Sequence, residues 1–291
     1  MPDDPNWSLQ ELCEVIERQQ ELVRLVLYLL SEGPAEFLEH RLESKLERNK
    51  ARVVAATAMG AGQTTKTLLK LSRESGIVVR DMYPLARSVV ESYVNAAFFS
   101  TQPVEVAQRA IRHKDYAAWK HANRVVGSGD FMISVGSQER VKPYLTEHFP
   151  EFVGKRHGSW TSLDVPSRIR LVGNSNGAAG WALMAAYGGI YAISSEIIHG
   201  SLFGTAYFYS SGTGDPRGEE DFKRGVLQQR IDILCAVAHA ASGFLAAYAE
   251  TEKLGPLVLT EHELFKRMFR AATGDDWGQR DSSGGYSDHS D

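Results

Sequence analysis

Between Gly177 and Ser194 the chain carries no charged side chain, and it then runs directly into Ser195, Glu196 and His199. A segment this long and this apolar has to be enclosed on nearly every side, by lipid or by the rest of the chain. It consists mainly of Ala, Gly and Tyr rather than Leu, Ile and Val, and it ends in charge, which favours a core helix over a membrane span. A helix over about Ala178–His199 puts Tyr191, Ser195 and His199, four residues apart, in one stripe, with Glu196 three residues before His199. A core helix needs neighbours, and the remaining sequence must provide them.

It provides them as further helices. Ser8 with Glu11 reads as a capping box opening a first helix to about Leu30, which Gly33-Pro34 stops. Pro34 opens a second, whose part from Glu36 to Arg52 sets Glu39, Glu43 and Glu47 against Arg41, Lys45 and Arg48 at ion-pair spacing. Helices follow over Ala51–Ser72, ended by Gly76, then Val78–Ser100, Pro103–Val126 and a short Ser137–His148. Pro166–Val172 reads as a helical turn. Gly218–Glu252 is a long helix, and Thr260–Ala271 a short one capped by Thr260. Lys155–Trp160, Asn174–Gly177 and Ser210–Pro216 read as loops. No run reads as a strand pair. The expected fold is all-α: a single-domain bundle of about six or seven main helices over 1–272, with a Ser-, Asp- and Gly-rich disordered tail at 273–291. Leu227, Ile231, Leu234, Ala238, Ala241, Leu245 and Tyr248 form a seam for another helix, and a homodimer through such a seam is one expected assembly.

Composition excludes little but directs the search. The chain is 43% hydrophobic and 23% charged with a net charge of −4, so it has no general attraction for nucleic acid or anionic lipid. Cys13 and Cys235 lack metal-ligand spacing and read as idle thiols in a reducing compartment. The start, MPDDPNWSLQEL, is not a signal peptide. The expected location is cytoplasmic, without a membrane partner.

The helix over Val78–Ser100 is apolar around most of its circumference, broken by one seam of Arg87, Glu91 and Asn95. If that seam faces Tyr191, Ser195 and His199, a guanidinium, a carboxylate, hydroxyls and an imidazole converge in an apolar bundle. Two readings stand. In one the five residues Arg87, Glu91, Tyr191, Ser195 and His199 are catalytic, with a histidine tuned for acid or base work. In the other they are a polar network that fixes helix register. A second group, Arg109, Arg112, His113 and Lys120, is basic with Tyr116 and Trp119 interleaved, and reads as a nucleic-acid surface or a solvated face.

Other chemistry fits poorly. Glu196 and His199 form a single Glu-x-x-His, and a di-iron bundle needs a second copy, so no metal and no other cofactor is expected. Gly60–Thr67, GAGQTTKT, has Thr65 where a phosphate loop needs its second glycine. Ser195 and His199 lack a Gly-x-Ser-x-Gly elbow.

The run TLLKLSRESGIVVRDMYPLARSVVESYVNAAFF, holding Arg87 and Glu91, together with YAISSEIIHGS, resembles the all-helical family called DUF5677 over roughly Thr57–Ser201. Its marks are an Arg-x3-Glu helix and a later Tyr-x3-Ser-x3-His helix. That family is distantly similar to helical bundles of the HEPN type, several of which are ribonucleases in toxin and antiphage systems. The resemblance implies the bundle fold, a site at the five residues named, and RNA or a nucleotide as ligand of a toxin or defence effector. Those nucleases carry an Arg, four to six intervening residues and then a His on one helix, and this chain has no such motif, since only three residues separate Arg109 from His113. The alternative expectation is a non-catalytic helical sensor or interaction module.

Overall fold

Asp4, rather than Ser8, caps the first helix. Its carboxylate accepts from the Asn6 and Trp7 amides, and Pro5 takes the first helical position, where its missing N–H costs nothing. Ser8 lies inside the helix, buried, and donates to the Asp4 carbonyl at 3.3 Å. In the computed structural model residues 4–74, 78–136, 141–153, 159–209 and 218–277 are described. Among them are ten α-helices: α1 (Pro5–Ser31), α2 (Arg48–Ser72), α3 (Val79–Thr101), α4 (Val104–Ala122), α5 (Val141–His148), α6 (Val165–Ser175), α7 (Gly177–Ile198), α8 (Leu202–Tyr209), α9 (Glu219–Thr251) and α10 (Gly255–Thr273). The fold is all-α, with more helices than six or seven because short segments such as α5, α6 and α8 are separate helices.

Two antiparallel hairpins correct the expectation of no strands. The first pairs β1 (Ala35–Phe37) with β2 (His40–Leu42), and the second pairs β3 (Arg124–Ser128) with β4 (Phe131–Val135). The first replaces the predicted charged helix. Leu38 and Glu39 both take positive φ, 48° and 62°, the tight turn a two-residue hairpin requires. The chain after it stays extended because Glu252 captures it: the carboxylate accepts from Ser44 Oγ at 2.9 Å and from the amides of Lys45 and Leu46. Helix α2 then starts at Arg48, capped by Glu47.

Helix α9 is the centre. It packs on α1, α3, α7 and α10, and its alanines 236, 238, 240, 241, 247 and 249 are all buried. It is the one helix among the described residues that is long and apolar enough to cross a membrane, and 78% of its apolar window is buried inside the protein, as in a core helix. The seam of Ile231, Leu234, Ala238, Ala241, Leu245 and Tyr248 is buried within the chain and is not a free dimer surface. Helices α6 and α7 meet at Asn176, which ends one and caps the other through the Ala179 amide at 2.9 Å. They cross so closely that a Cβ on Gly180 would lie 2.5 Å from the Gly173 Cα. The expected loop at Asn174–Gly177 is therefore a single-residue corner. Helix α4 ends at Ala122, before the predicted Val126, because β3 begins there. Helix α10 starts at Gly255 rather than Thr260, whose hydroxyl instead donates back to the Pro256 carbonyl at 2.9 Å. Trp277 sits edge-on to Phe265 and Phe269, each at 5.0 Å. The expectations for Gly76, residues 137–140, 155–158, 210–216 and 278–291 fall outside the described residues.

Candidate functional site

The apolar face of α3 fixes the direction of its polar seam. Met82, Ala86, Val89, Val90, Tyr93 and Val94 are buried against α2 and α9, which leaves Arg87, Glu91 and Asn95 facing α6 and α7. Arg87 Nε donates to Glu91 Oε1 at 2.9 Å, one helical turn on. The guanidinium also lies over the Tyr191 ring, Cζ 4.3 Å from its centroid. Tyr191 stacks on Tyr187 at 4.5 Å. Burial, then the neighbouring Tyr191 and Glu91, push the Tyr187 hydroxyl up to about 12, so it stays protonated at neutral pH.

The third residue of the seam, Asn95, accepts from Arg168 Nη1 of α6. Arg168 is buried, packs over the Trp160 ring at 5.3 Å and donates through Nε to the Asp164 carbonyl at 3.4 Å. Burial pulls its guanidinium down, and the Glu91 and Asp164 carboxylates oppose that. Two guanidiniums, one carboxylate and two phenols thus lie together along the α3–α6–α7 junction, each polar group engaged by another.

The structure brings Arg87, Glu91 and Tyr191 together and adds Asn95, Arg168, Tyr187 and Trp160. It does not bring the imidazole to them. His199 is exposed at the end of α7, two turns and about 12 Å along the axis beyond Tyr191. Among the described residues its ring makes no hydrogen bond, ion pair or ring contact, while its backbone N–H bonds the Ser195 carbonyl at 3.0 Å. Ser195 is partly exposed. Its neighbour Ser194 is the buried serine, and it donates to the Tyr191 carbonyl at 3.0 Å.

Of the basic residues of α4, Arg109 and His113 are half-buried while Arg112 and Lys120 are exposed. Arg109 Nε donates to the Trp160 carbonyl at 2.9 Å and the guanidinium covers Phe152 at 4.6 Å. Arg112 bonds Glu151 at 2.6 Å and the His148 carbonyl at 3.2 Å. That bond holds the Glu151 carboxyl below its usual range. His113 meets Phe152 edge-on at 5.3 Å. Lys120 is exposed, its ammonium 5.7 Å from the Tyr116 ring. Arg109, Arg112 and His113 thus hold His148, Glu151, Phe152 and Trp160 beside a small core of Tyr116, Leu145 and Phe152.

Trp160 links the two groups, and sequence reasoning passed over it. It touches Arg109 through its carbonyl and Arg168 through its ring, and packs on Phe99 at 4.8 Å. The available signal was a lone Trp in a polar loop, a ring that has to find an apolar surface. Among the described residues no group of three or more His, Cys, Asp or Glu could hold a metal ion, so Glu196 and His199 acquire no partner ligands there.

The fold and junction define a class: an all-helical protein in which an Arg–Glu turn of one core helix is locked under a tyrosine of another. Residues 52–215 match the family described as "Family of unknown function (DUF5677)", more than half the chain, and the protein belongs to that family. The match runs from α2 through α8 and stops short of α9. Searches of curated proteins and of solved structures find no match.

Proposed function

We propose that this chain is a non-catalytic helical interaction module, in which the Arg87–Glu91–Tyr191 network sets the register of α3, α6 and α7 and the β3–β4 hairpin carries the contact surface. The observation behind this reading is that the motif groups are engaged with one another while the only histidine of the motif stands apart in solvent. The hairpin supplies the rest. Register puts Val126, Phe131, Ile133 and Val135 on one face, and Phe131 is 88% and Ile133 69% exposed. A contiguous apolar face of this kind marks a partner site, and a lone two-stranded hairpin is only marginally stable in water.

The partner is a second copy. Arg124 stands at the base of the hairpin and Asp130 at its tip. Two hairpins stacked face to face about a twofold axis place each arginine by the other's aspartate and cover both apolar faces.

Two measurements test the reading. Sedimentation should give a dimer for the wild type and a monomer for the double variant Phe131→Lys/Ile133→Lys, with unchanged helical circular dichroism. A monomeric wild type sinks the hairpin assignment. Arg87→Ala should lower unfolding stability by about 1–2 kcal/mol, because Glu91 and Tyr191 lose their partner in a partly buried junction. His199→Ala should stay within about 0.5 kcal/mol of wild type. RNA cleaved by the wild type and by neither variant would replace this reading with that of a HEPN-like ribonuclease, Arg87 holding phosphate and His199 acting as acid or base.

A further inference from the structure

A second cluster of titratable groups lies away from the family's motif residues, around a cavity of about 310 Å³ between α3, α7, α8 and α9. Its polar wall is Tyr83, Tyr207, Asp232 and His239. Tyr83 and Tyr207 meet edge-to-face at 6.2 Å and their hydroxyls share a hydrogen bond. The opposite wall is Ala185, Gly189 and Ile193 of α7, and a Cβ on Gly189 would meet nothing within 4 Å.

Asp232 and His239 offer acceptors to this space, beside two phenol hydroxyls and the Cys235 thiol. Asp232 accepts from Gln228 Nε2 at 2.9 Å and, among the described residues, makes no ion pair. His239 Nδ1 lies 2.8 Å from the Cys235 carbonyl, and donation there leaves Nε2 as an acceptor. Two phenol rings add electron-rich surface. Among the described residues no lysine or arginine lines the cavity. Asp232, Ala185 and Gly189 stand at the open, solvent-exposed side of this space, and the packing around it still raises the Asp232 carboxyl and lowers the half-buried His239 imidazole. A carboxylate, an imidazole acceptor and aromatic rings around an apolar pocket are the partners an ammonium group needs, and the volume is at the small end for ligand pockets.

We propose that this cavity is a binding site for a small primary ammonium compound, its nitrogen held by Asp232 beside the Tyr83–Tyr207 pair and its alkyl chain on Ile193 and Ala185. The proposal is independent of the interaction reading above, since it shares no residue with the hairpin or the motif junction.

The test is calorimetric titration of the full chain with n-butylammonium chloride, sodium butyrate and n-butanol at pH 8. The ammonium should bind and the two controls should not. Asp232→Asn should weaken binding by about ten-fold or more, the loss of a charge-assisted contact. Gly189→Leu, which fills the cavity from a helical position with room for it, should abolish binding while circular dichroism stays unchanged. Butanol or butyrate binding as tightly as the ammonium, full affinity in either variant, or no heat from any compound would overturn the proposal.

Discussion

Tyr93→Ala is expected to lower the unfolding free energy by about 4 kcal/mol, near the top of the range for a single truncation. Tyr93 is fully buried in the middle of α3 and stacks on Phe244 of α9 at 5.6 Å with the rings nearly parallel. Its hydroxyl accepts from Gln20 Nε2 of α1 at 2.9 Å. One side chain therefore joins three helices, and burial pushes its hydroxyl up to about 12. Alanine leaves a cavity that the close-packed alanines of α9 cannot close. Tyr93→Phe keeps the ring and loses only the hydrogen bond, so it should cost about 1 kcal/mol. Urea unfolding of the two variants separates the contributions. Equal losses would mean that the hydroxyl, not the stacked ring, holds the three helices together.

The second large effect depends on pH. Glu261 of α10 is 6% exposed, and burial pushes its carboxyl up to about 7. Its Oε1 is buried without a partner, as is Gln19 Oε1, and both residues bond Ser242, Gln19 through Nε2 at 3.1 Å. A proton on Glu261 neutralises the buried carboxylate and gives it a donor, which removes the cost of burying its charge. A carboxyl whose folded value lies above its unfolded value binds more protons when folded. Stability from this group is thus complete below about 4.5 and is lost as pH rises through about 7. The interval corresponds to roughly 3 kcal/mol. Glu261→Gln should remove that dependence, matching wild type at pH 5 and exceeding it by roughly 2–3 kcal/mol at pH 8. Parallel pH dependence of denaturation midpoints in the two proteins would show that Glu261 is already ionised in the folded state.

Helices with an unambiguous period were legible. Val79–Thr101, Gly177–Ile198 and Glu219–Thr251 lie within about two residues of their sequence expectations, because apolar residues at helical spacing leave no other way to bury that surface. The Arg87–Glu91 pair was legible for the same reason, since partners one turn apart need no tertiary information. The hairpin at 35–42 was not. Its charges fit helical spacing equally well, its turn uses Leu38 and Glu39 rather than Gly or Asn, and its continuation is held by Glu252 from the far end of the chain. Gly127 and Gly129, by contrast, were a turn signal beside Val125, Val126 and Phe131–Val135, and the strong helix upstream obscured it.

The candidate site divides along the same line. The sequence alone determined that a polar seam on one enclosed helix and a Tyr–Ser–His stripe on another exist, because residue spacing converts directly into helix faces. Only the tertiary structure decided which ends of those faces meet. Packing of α3 against α7 sets Tyr191 over Arg87 and leaves His199 in solvent, and packing of α6 on α3 brings Arg168, over the Trp160 ring, to Asn95. Relative helix position depends on contacts between residues far apart in the chain, and no local spacing records it.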